Sequence, residues 1–297
     1  MIARTLCFSS PGRLSLKYEQ LVWLSGEGDA RTVPIEDIGV IILESERIEI
    51  TVSLLRFLAE KNVAVVVCDS SHTPSAQLLS YAAHTTAAEH MEAQLNASEA
   101  VCGRLWRQVC RQKILNQLAL VGRLGYEASP RFRELVDAVK NGDPSNCEGQ
   151  AARMYFQTVA PKEFVRDRYG DWPNGPLNYG YAVLRAAVAR AIVGSGLACF
   201  CGIHHHNRYN AFALADDVME PYRPFVDQIV FSGDPPFDKP ESELTKEMKA
   251  RLLQVLSCDV RLGGYTRPLM VALSYTTASF VRAFKREATE LVLPEMP

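Results

Sequence analysis

The sequence predicts an α+β fold in which a small β-rich N-terminal domain precedes a larger, all-helical domain. In the first seventy residues, short apolar runs separated by turn-like segments such as residues 26–29 are typical of strands. From about residue 89 onward, the apolar residues recur at helical spacing instead. A stretch rich in Ser, Thr and Pro lies between the two regions. We therefore expect a β-rich domain at residues 1–75, a linker at 76–88 and a helical domain at 89–297.

The β-rich region is predicted to contain several short strands and one helix. Leu14, Leu16 and Tyr18 alternate with polar residues, which is the period of a half-buried strand. Strands are expected at residues 14–18, 22–24, 33–35, 40–43 and 63–68, with the helix at residues 53–60. Because these strands are few for an isolated sheet, we expect the region to pair with a second copy of the chain.

The helical region is predicted from apolar positions that recur every three or four residues. Helices are expected at residues 99–120, 179–193, 210–219, 244–256 and 267–290. The last five residues, 293–297, are expected to form a loose end.

Composition excludes several classes of protein. The 297-residue chain is 47% hydrophobic and 22% charged, which indicates a globular protein. Its net charge of -2 disfavours a protein that simply coats nucleic acid but leaves room for a local basic groove. No apolar run is long enough for a membrane span or a signal peptide, and the eight cysteines contain no C-x-x-C pair. We therefore expect a cytoplasmic protein with reduced thiols and no membrane association.

One stretch, residues 202–227, combines histidines with acidic side chains. Charged residues three or four positions apart could share one helical face: Asp217, Glu220, Arg223 and Asp227. Preceding them are three adjacent histidines, His204, His205 and His206. Imidazole and carboxylate donors together suit a divalent metal, although a polar loop beside an ordinary Glu220–Arg223 ion pair explains the same residues. Two prolines, Pro221 and Pro224, interrupt the face, which is unusual for a helix that serves folding alone.

A second stretch centres on Glu148. Ser145 followed three residues later by Glu148 matches the capping-box pattern, so this glutamate has a complete structural explanation. Small residues after it, Gly149, Ala151 and Ala152, would let another element or a ligand approach closely. From the residues alone, the cap is favoured over a catalytic role.

The predicted helix at residues 99–120 carries a basic face formed by Arg104, Arg107, Arg111 and Lys113. Such a face is usually a solvated surface. It is also a candidate for contact with a phosphate backbone.

Together these stretches resemble a known family, the CRISPR-associated integrases, which are the DNA-cutting and joining subunits of the spacer-acquisition machinery. The resemblance covers nearly the whole chain and is carried by residues 143–153 and, most specifically, by the pattern D-V-M-E-P-Y-R-P-x-x-D at residues 217–227. It is closest to members that accompany the single-protein, RNA-guided effector systems (type II).

The resemblance implies a catalytic metal site with Mg²⁺ or Mn²⁺ as the cofactor. Glu148, His205 and Glu220 match the family's ligands, with Asn207, Asp217 and Arg223 as supporting residues. The choice of His205 over its two neighbours depends on its spacing from Asn207 and from the acidic run. The basic face is then expected to contact DNA.

The resemblance also implies an activity and partners. A 3′-hydroxyl of a short DNA duplex would attack a phosphodiester of a CRISPR repeat array, with the enzyme acting as an endonuclease and integrase in antiviral defence. Family members form homodimers through their β domains and assemble with a small dimeric adaptation protein, and the RNA-guided effector nuclease is a further candidate partner. Two alternatives remain open: a stand-alone, structure-specific metallonuclease for branched DNA, and a non-catalytic DNA-binding scaffold.

Overall fold

The computed structural model describes residues 4–70, 72, 74–80, 83–167, 172–237 and 244–297. Its N-terminal region is built from strands β1 (Arg4–Phe8), β2 (Gly12–Lys17), β3 (Gln20–Ser25), β4 (Ala30–Pro34), β5 (Ile38–Leu43), β6 (Ile48–Ile50), β7 (Ala64–Cys68) and β8 (Pro74–Leu78), with helix α1 (Val52–Glu60) between β6 and β7.

These strands form two four-stranded sheets, ordered β1-β5-β7-β8 and β4-β3-β2-β6. In the first sheet β5 pairs in parallel with β1 and β7, and β8 is antiparallel to β7. In the second, β2, β3 and β4 are antiparallel and β6 joins β2 in parallel. Leu54 and Leu58 of α1 are fully buried in one apolar core with Leu14 of the second sheet and Ile41 of the first.

The two central strands of the first sheet bury residues on both of their faces. Ile41 belongs to the N-terminal core, whereas its neighbours Val40 and Ile42 belong to the large core of the helical region. Because side chains alternate across a strand, this sheet lies between the two cores and packs one face against each. Strands buried on both faces have continuous apolar sequences, which is why residues 40–43 and 63–68 were recognisable.

The rest of the chain is mainly helical, with α2 (Ala87–Leu95), α3 (Glu99–Arg123), α4 (Pro130–Ala138), α5 (Cys147–Val159), α6 (Asn174–Gly194), α7 (Ala213–Met219), α8 (Arg223–Phe231), α9 (Lys246–Leu253) and α10 (Leu269–Phe284). A hairpin of β9 (Asp259–Leu262) and β10 (Tyr265–Pro268) precedes α10. The 25-residue α3 packs against α4, α5, α8 and the turn that follows α7, so it is the helix around which the site is assembled.

The predicted α+β fold class is confirmed, with differences at the ends of elements. The β9–β10 hairpin was not predicted within the helical region, and β8 extends to residue 78, inside the expected linker. Helix α7 begins at Ala213 rather than 210, because the Asn210 side chain accepts a hydrogen bond from the backbone N–H of Phe212 and forms a turn instead. Helix α10 ends at Phe284 rather than 290, since Arg286 adopts a left-handed conformation with φ 61°.

The end of the chain is ordered, so the prediction of a loose end was wrong. Glu295 forms an antiparallel bridge with Arg261 of β9. Asn116 of α3 donates a hydrogen bond to the carbonyl of Pro294 at 2.9 Å and accepts one from the N–H of Met296 at 3.1 Å. Hydrogen bonds therefore hold the C-terminal segment, residues 293–297, against α3. Within the described part of the chain, no helix has the length and apolar character needed to cross a membrane.

Candidate functional site

Glu148 lies in the first turn of α5, at a helix end that other side chains cap. The Asp143 carboxylate accepts hydrogen bonds from the first two backbone N–H groups of the helix, each at 2.9 Å. Asn146, in a left-handed conformation with φ 50°, accepts a third from Gly149 at 3.1 Å. The expected capping box of Ser145 and Glu148 is therefore wrong, and the glutamate side chain is free to take another partner.

Glu220 lies in the bend between α7 and α8. A single 3₁₀ turn, Glu220–Tyr222, links the two helices, and Pro221 fits there because a missing N–H is tolerated at the start of a turn. The carbonyl of Pro221 accepts a hydrogen bond from Asn116 of α3 at 2.7 Å, which fixes the bend against that helix. Glu220 is only 6% exposed.

Lys113, in the middle of α3, lies between the two carboxylates. Its ammonium forms one ion pair with Glu148 and another with Oε2 of Glu220, the latter at 2.5 Å. Burial alone would lower the pKa of this lysine, but the negative charges of Glu220 and Glu148 raise it above its ordinary value, so the side chain stays charged. The sequence placed Lys113 on an exposed basic face. That placement is wrong, because the residue is 7% exposed and four positions after buried Val109.

A second cation holds the other oxygen of Glu220. Nε of Arg223, one turn later, donates to Oε1 at 2.9 Å. Although burial raises the pKa of Glu220, the charges of Arg223 and Lys113 lower it to about 2. Glu220 is consequently ionised at neutral pH. The expected Glu220–Arg223 pair is present, whereas Asp217 and Asp227 bond to other partners and form no common ridge with it.

Asp217 organises the histidine loop. Its fully buried carboxylate accepts hydrogen bonds from the backbone N–H groups of Ile203 at 2.7 Å, His204 at 3.1 Å and His205 at 3.2 Å. It also accepts one from Nδ1 of His205 at 2.6 Å. Gly202 is required beside it, because a Cβ there would lie 2.7 Å from Oδ2 of Asp217. One buried acid thus sets both the path of the loop and the direction of the His205 ring.

The three histidines of the loop have different surroundings. His204 stacks on Trp106 of α3 with ring centroids 4.1 Å apart, and burial lowers its pKa. The hydrogen bond that Nδ1 of His205 donates to Asp217 raises the pKa of His205, whose Nε2 has no hydrogen-bond partner among the described residues. His206 is exposed. Asn207 accepts a hydrogen bond from the backbone N–H of Tyr209 at 3.0 Å and so shapes the far end of the loop.

The structure brings two of the three predicted ligands together and leaves the third nearby. Glu148 and Glu220 share Lys113, and His205 is on the adjoining loop, where the charge of Glu220 contributes to its raised pKa. In the part of the chain that is described, no three His, Cys, Asp or Glu side chains form a group that could hold a metal. The donors themselves, two carboxylates around one positive charge and an imidazole with a free nitrogen, are of the types that bind Mg²⁺ or Mn²⁺.

A cavity of about 630 Å³ opens beside Glu220. Charged and aromatic side chains line it, among them Lys113, Arg153, Phe156, Phe164, Arg166 and Tyr181. The buried carboxylate of Asp227 at its wall accepts a hydrogen bond from Tyr155 at 3.1 Å and another from Tyr181. Burial raises the pKa of Asp227 to about 6 against the opposing effect of these two donors.

The remaining arginines of the predicted basic face differ in how freely they could meet a ligand. Arg104 and Arg107 are exposed on α3, and Nε of Arg107 donates to the carbonyl of Val139 at 3.2 Å. Arg111 is half-buried and pairs with Asp137 at 3.2 Å. The exposed part of the face is therefore narrower than the sequence suggested.

Three side chains that order the site were not predicted from the sequence, namely Asp143, Trp106 and Asn116. Trp106 and Asn116 lie three or four residues from other buried positions of α3, such as Val109 and Lys113, so the helical period contained a signal for them. Asp143 lies in the loop before α5, where no helical periodicity in the sequence could indicate its capping role.

The comparisons with known proteins agree with this architecture. Residues 6–233 match the family described as CRISPR associated protein Cas1. The chain is 37% identical to the CRISPR-associated endonuclease Cas1 of Neisseria meningitidis serogroup C, over 100% of this chain and 97% of the relative. A solved casposase bound to an integration product superposes with a TM-score of 0.80 at 19% identity, covering 98% of this chain and 92% of that one.

The solved Cas6-RT-Cas1–Cas2 complex superposes with a TM-score of 0.76 at 17% identity, over 100% of this chain and 36% of the longer one. The two structural likenesses show the fold. The match to the family sequence and the full-length identity show the relationship, and the family predicted from the sequence is confirmed: the chain belongs to the Cas1 family of CRISPR-associated proteins.

Proposed function

We propose that this protein inserts short DNA fragments into a CRISPR repeat array, by attack of a fragment's 3′-hydroxyl on a phosphodiester of the array. It is an endonuclease of the Cas1 family. Cutting and joining differ only in whether water or a 3′-hydroxyl attacks the same phosphorus. One observation supports the proposal beyond family membership. Glu148 and Glu220 are far apart in the chain, yet both pair with the same positive charge, the ammonium of Lys113.

In this proposal Glu148, His205 and Glu220 hold one Mg²⁺ or Mn²⁺ ion. When bound, the ion draws charge from a phosphate oxygen and stabilises the departing 3′-oxygen. Glu220 is ionised at neutral pH and therefore needs no proton loss to act as a ligand. His205 must be neutral to bind a metal, so its raised pKa makes protonation compete with metal binding.

The supporting residues act through the position of the ligands. Asp217 accepts a hydrogen bond from Nδ1 of His205 at 2.6 Å, which leaves the lone pair of Nε2 for the metal, as in other carboxylate–histidine–metal arrangements. Arg223 fixes Oε1 of Glu220 and leaves Oε2 for a cation. Asn207 holds the end of the histidine loop.

The surroundings of the site are suited to a DNA strand. The cavity beside Glu220 combines guanidinium groups, which bind phosphate, with aromatic rings, on which bases stack. The exposed Arg104 and Arg107 of α3 supply further contacts to a phosphate backbone. No side-chain nucleophile is needed, because the attacking hydroxyl belongs to the DNA.

We further propose a homodimer formed through the β-rich region, in complex with the small dimeric adaptation protein and acting in the cytoplasm. The fold likeness to a chain from a Cas6-RT-Cas1–Cas2 complex and to a casposase bound to an integration product supports assembly with that partner and with DNA. An interaction with the RNA-guided effector nuclease is part of the same proposal.

The test uses the purified protein with its small partner, a short duplex with free 3′-hydroxyls and a supercoiled plasmid carrying a repeat array. Joining should require Mn²⁺ or Mg²⁺ and stop with a chelator. It should fall at least about a hundredfold in His205→Ala, since the variant lacks one ligand. His206→Ala is the matched control, because this neighbour is exposed, and joining should be unchanged.

The outcomes separate the alternatives. Metal-dependent cutting of branched DNA without any joining would replace integration by a structure-specific nuclease. Well-folded protein with neither activity would indicate a DNA-binding scaffold. Equal loss in the two histidine variants would contradict the assignment of His205.

A further inference from the structure

We propose that Lys113 is a resident counter-cation: it occupies the carboxylate pair in the metal-free protein, withdraws when a divalent ion binds, and so sets the affinity for that ion. The inference rests on the proposed metal site at Glu148 and Glu220. It adds a role for a residue that the metal site does not include.

The first support is the place of the lysine. Lys113 is 7% exposed, yet its ammonium reaches Glu148 from one side and Oε2 of Glu220 from the other. Two buried or half-buried carboxylates that converge repel one another unless a cation lies between them. In the structure that cation is the lysine.

The two oxygens of Glu220 have different cations, and this makes displacement selective. Oε1 accepts from Arg223 at 2.9 Å, and Oε2 accepts from Lys113 at 2.5 Å. An ion bound between Glu148 and Glu220 would need the oxygens that Lys113 uses, whereas Arg223 could stay in place. Lys113 and the divalent ion therefore compete for the same oxygens.

The surroundings give Lys113 somewhere to go. The side chain lines the cavity of about 630 Å³ beside Glu220, together with residues of α5 and α6. Lysine carries its charge on a flexible four-carbon stem, so the ammonium can swing into that space without movement of α3. After the swing it would lie where a DNA phosphate enters, which makes the cation available to substrate once the metal is bound.

The experiment compares wild type with Lys113→Gln and Lys113→Arg. The Mn²⁺ dissociation constant is measured by calorimetry and by the electron paramagnetic resonance of free Mn²⁺, and melting temperature is measured with chelator and with Mn²⁺. Lys113→Gln should bind Mn²⁺ at least about tenfold more tightly, because the competing charge is gone. Its melting temperature in chelator should fall, and Mn²⁺ should restore it by more than in wild type.

Two variants control for other effects. Lys113→Arg keeps the competing charge, so its Mn²⁺ affinity should not exceed that of wild type. Arg111→Gln removes a nearby charge on the same helix, one that pairs with exposed Asp137, and it should change neither the affinity nor the stabilisation by Mn²⁺. If Lys113→Gln does not fold, Lys113→Met, which keeps the apolar stem, replaces it.

An independent measurement uses the wild-type protein. The NMR resonance of the Lys113 ammonium group should shift on addition of Mg²⁺. An unchanged resonance, or a Lys113→Gln variant that binds Mn²⁺ no more tightly than wild type, would overturn the counter-cation role while the metal site stood. If neither wild type nor any variant bound Mn²⁺, the metal site itself would fail and this inference with it.

Discussion

The two cores of the molecule differ in what they bury. The N-terminal core between the sheets consists of Leu, Ile and Val side chains. Among the described residues of that region the buried charge is Glu44, which pairs with Lys249 of the helical region instead of facing the core. The helical region encloses a series of buried polar side chains: Gln94, Lys113, Asn116, Gln117, Asp143, Asn174, Asp217, Glu220 and Asp227. A buried polar group is costly unless it is partnered, so a core with many of them is arranged for more than stability.

The buried polar groups of the helical region also connect its elements to one another. Asn116 joins the bend that carries Glu220 to the end of the chain, through the carbonyls of Pro221 and Pro294. Asp217 joins the histidine loop to α7. From the difference between the cores we expect that the β-rich region can lose packing without a change in the site, whereas in the helical region stability and site geometry should change together.

The largest effect is expected at Asp217. Asp217→Ala removes the acceptor for three backbone N–H groups and for the His205 ring, and leaves these donors without partners. We expect the free energy of unfolding to fall by about 3–5 kcal/mol and the joining activity to be lost. Chemical denaturation with a parallel activity assay measures both.

Asp137→Ala is the control for Asp217→Ala. Asp137 is 86% exposed and forms a surface pair with Arg111, so its loss should change the free energy of unfolding by less than about 1 kcal/mol. A stable Asp217→Ala variant with normal activity would show that the loop does not depend on this acid.

The next effect concerns the N-terminal core. Leu58→Ala removes a fully buried side chain packed between the sheets and should lower the free energy of unfolding by about 2–4 kcal/mol through the cavity that it leaves. The folded fraction should keep the wild-type Mn²⁺ affinity and the wild-type rate of joining, because the described residues of that core and those packed against it include none of the site residues. A change in Mn²⁺ affinity would contradict the separation of the two cores.

The same difference explains which parts of the structure could be predicted from the sequence. Strands β5 and β7 are continuous apolar runs, so their places were recognisable from composition alone. Edge strands β1 and β6 are short and half-buried. Strand β1 forms by pairing with β5, later in the chain, and β6 forms by pairing with β2, which is distant in sequence. Their own hydrophobic patterns are too short to predict these strands.

In the site, the local sequence pattern predicted the contacts of some residues correctly and those of others wrongly. The Glu220–Arg223 pair follows from a spacing of three residues, and the structure contains it. Lys113 was assigned to the surface from its charge, although its spacing from Val109 gives the opposite answer. The capping box at Ser145 failed because Asp143 and Asn146 compete for the same N–H groups, and a pattern of residues does not reveal which acceptor wins.

The smallest expected effect concerns the exposed basic residues of α3. Arg104→Glu and Arg107→Glu together should weaken DNA binding with little effect on folding, since both side chains are exposed and the variant loses one hydrogen bond, from Arg107 to the carbonyl of Val139. Each lost phosphate contact should reduce the slope of the logarithm of the binding constant against the logarithm of salt concentration by about 0.9. Fluorescence anisotropy with a short duplex, at a series of salt concentrations, measures this slope.

Arg56→Glu provides the matched control in the other region. Arg56 of α1 is 62% exposed and pairs with Glu60, so its reversal makes the same change in charge per substitution, away from α3. If DNA lies along α3, the slope should change for the α3 pair and not for Arg56→Glu. Equal changes in both would mean that the protein's overall charge governs binding, and an unchanged slope in both would remove α3 from the DNA path.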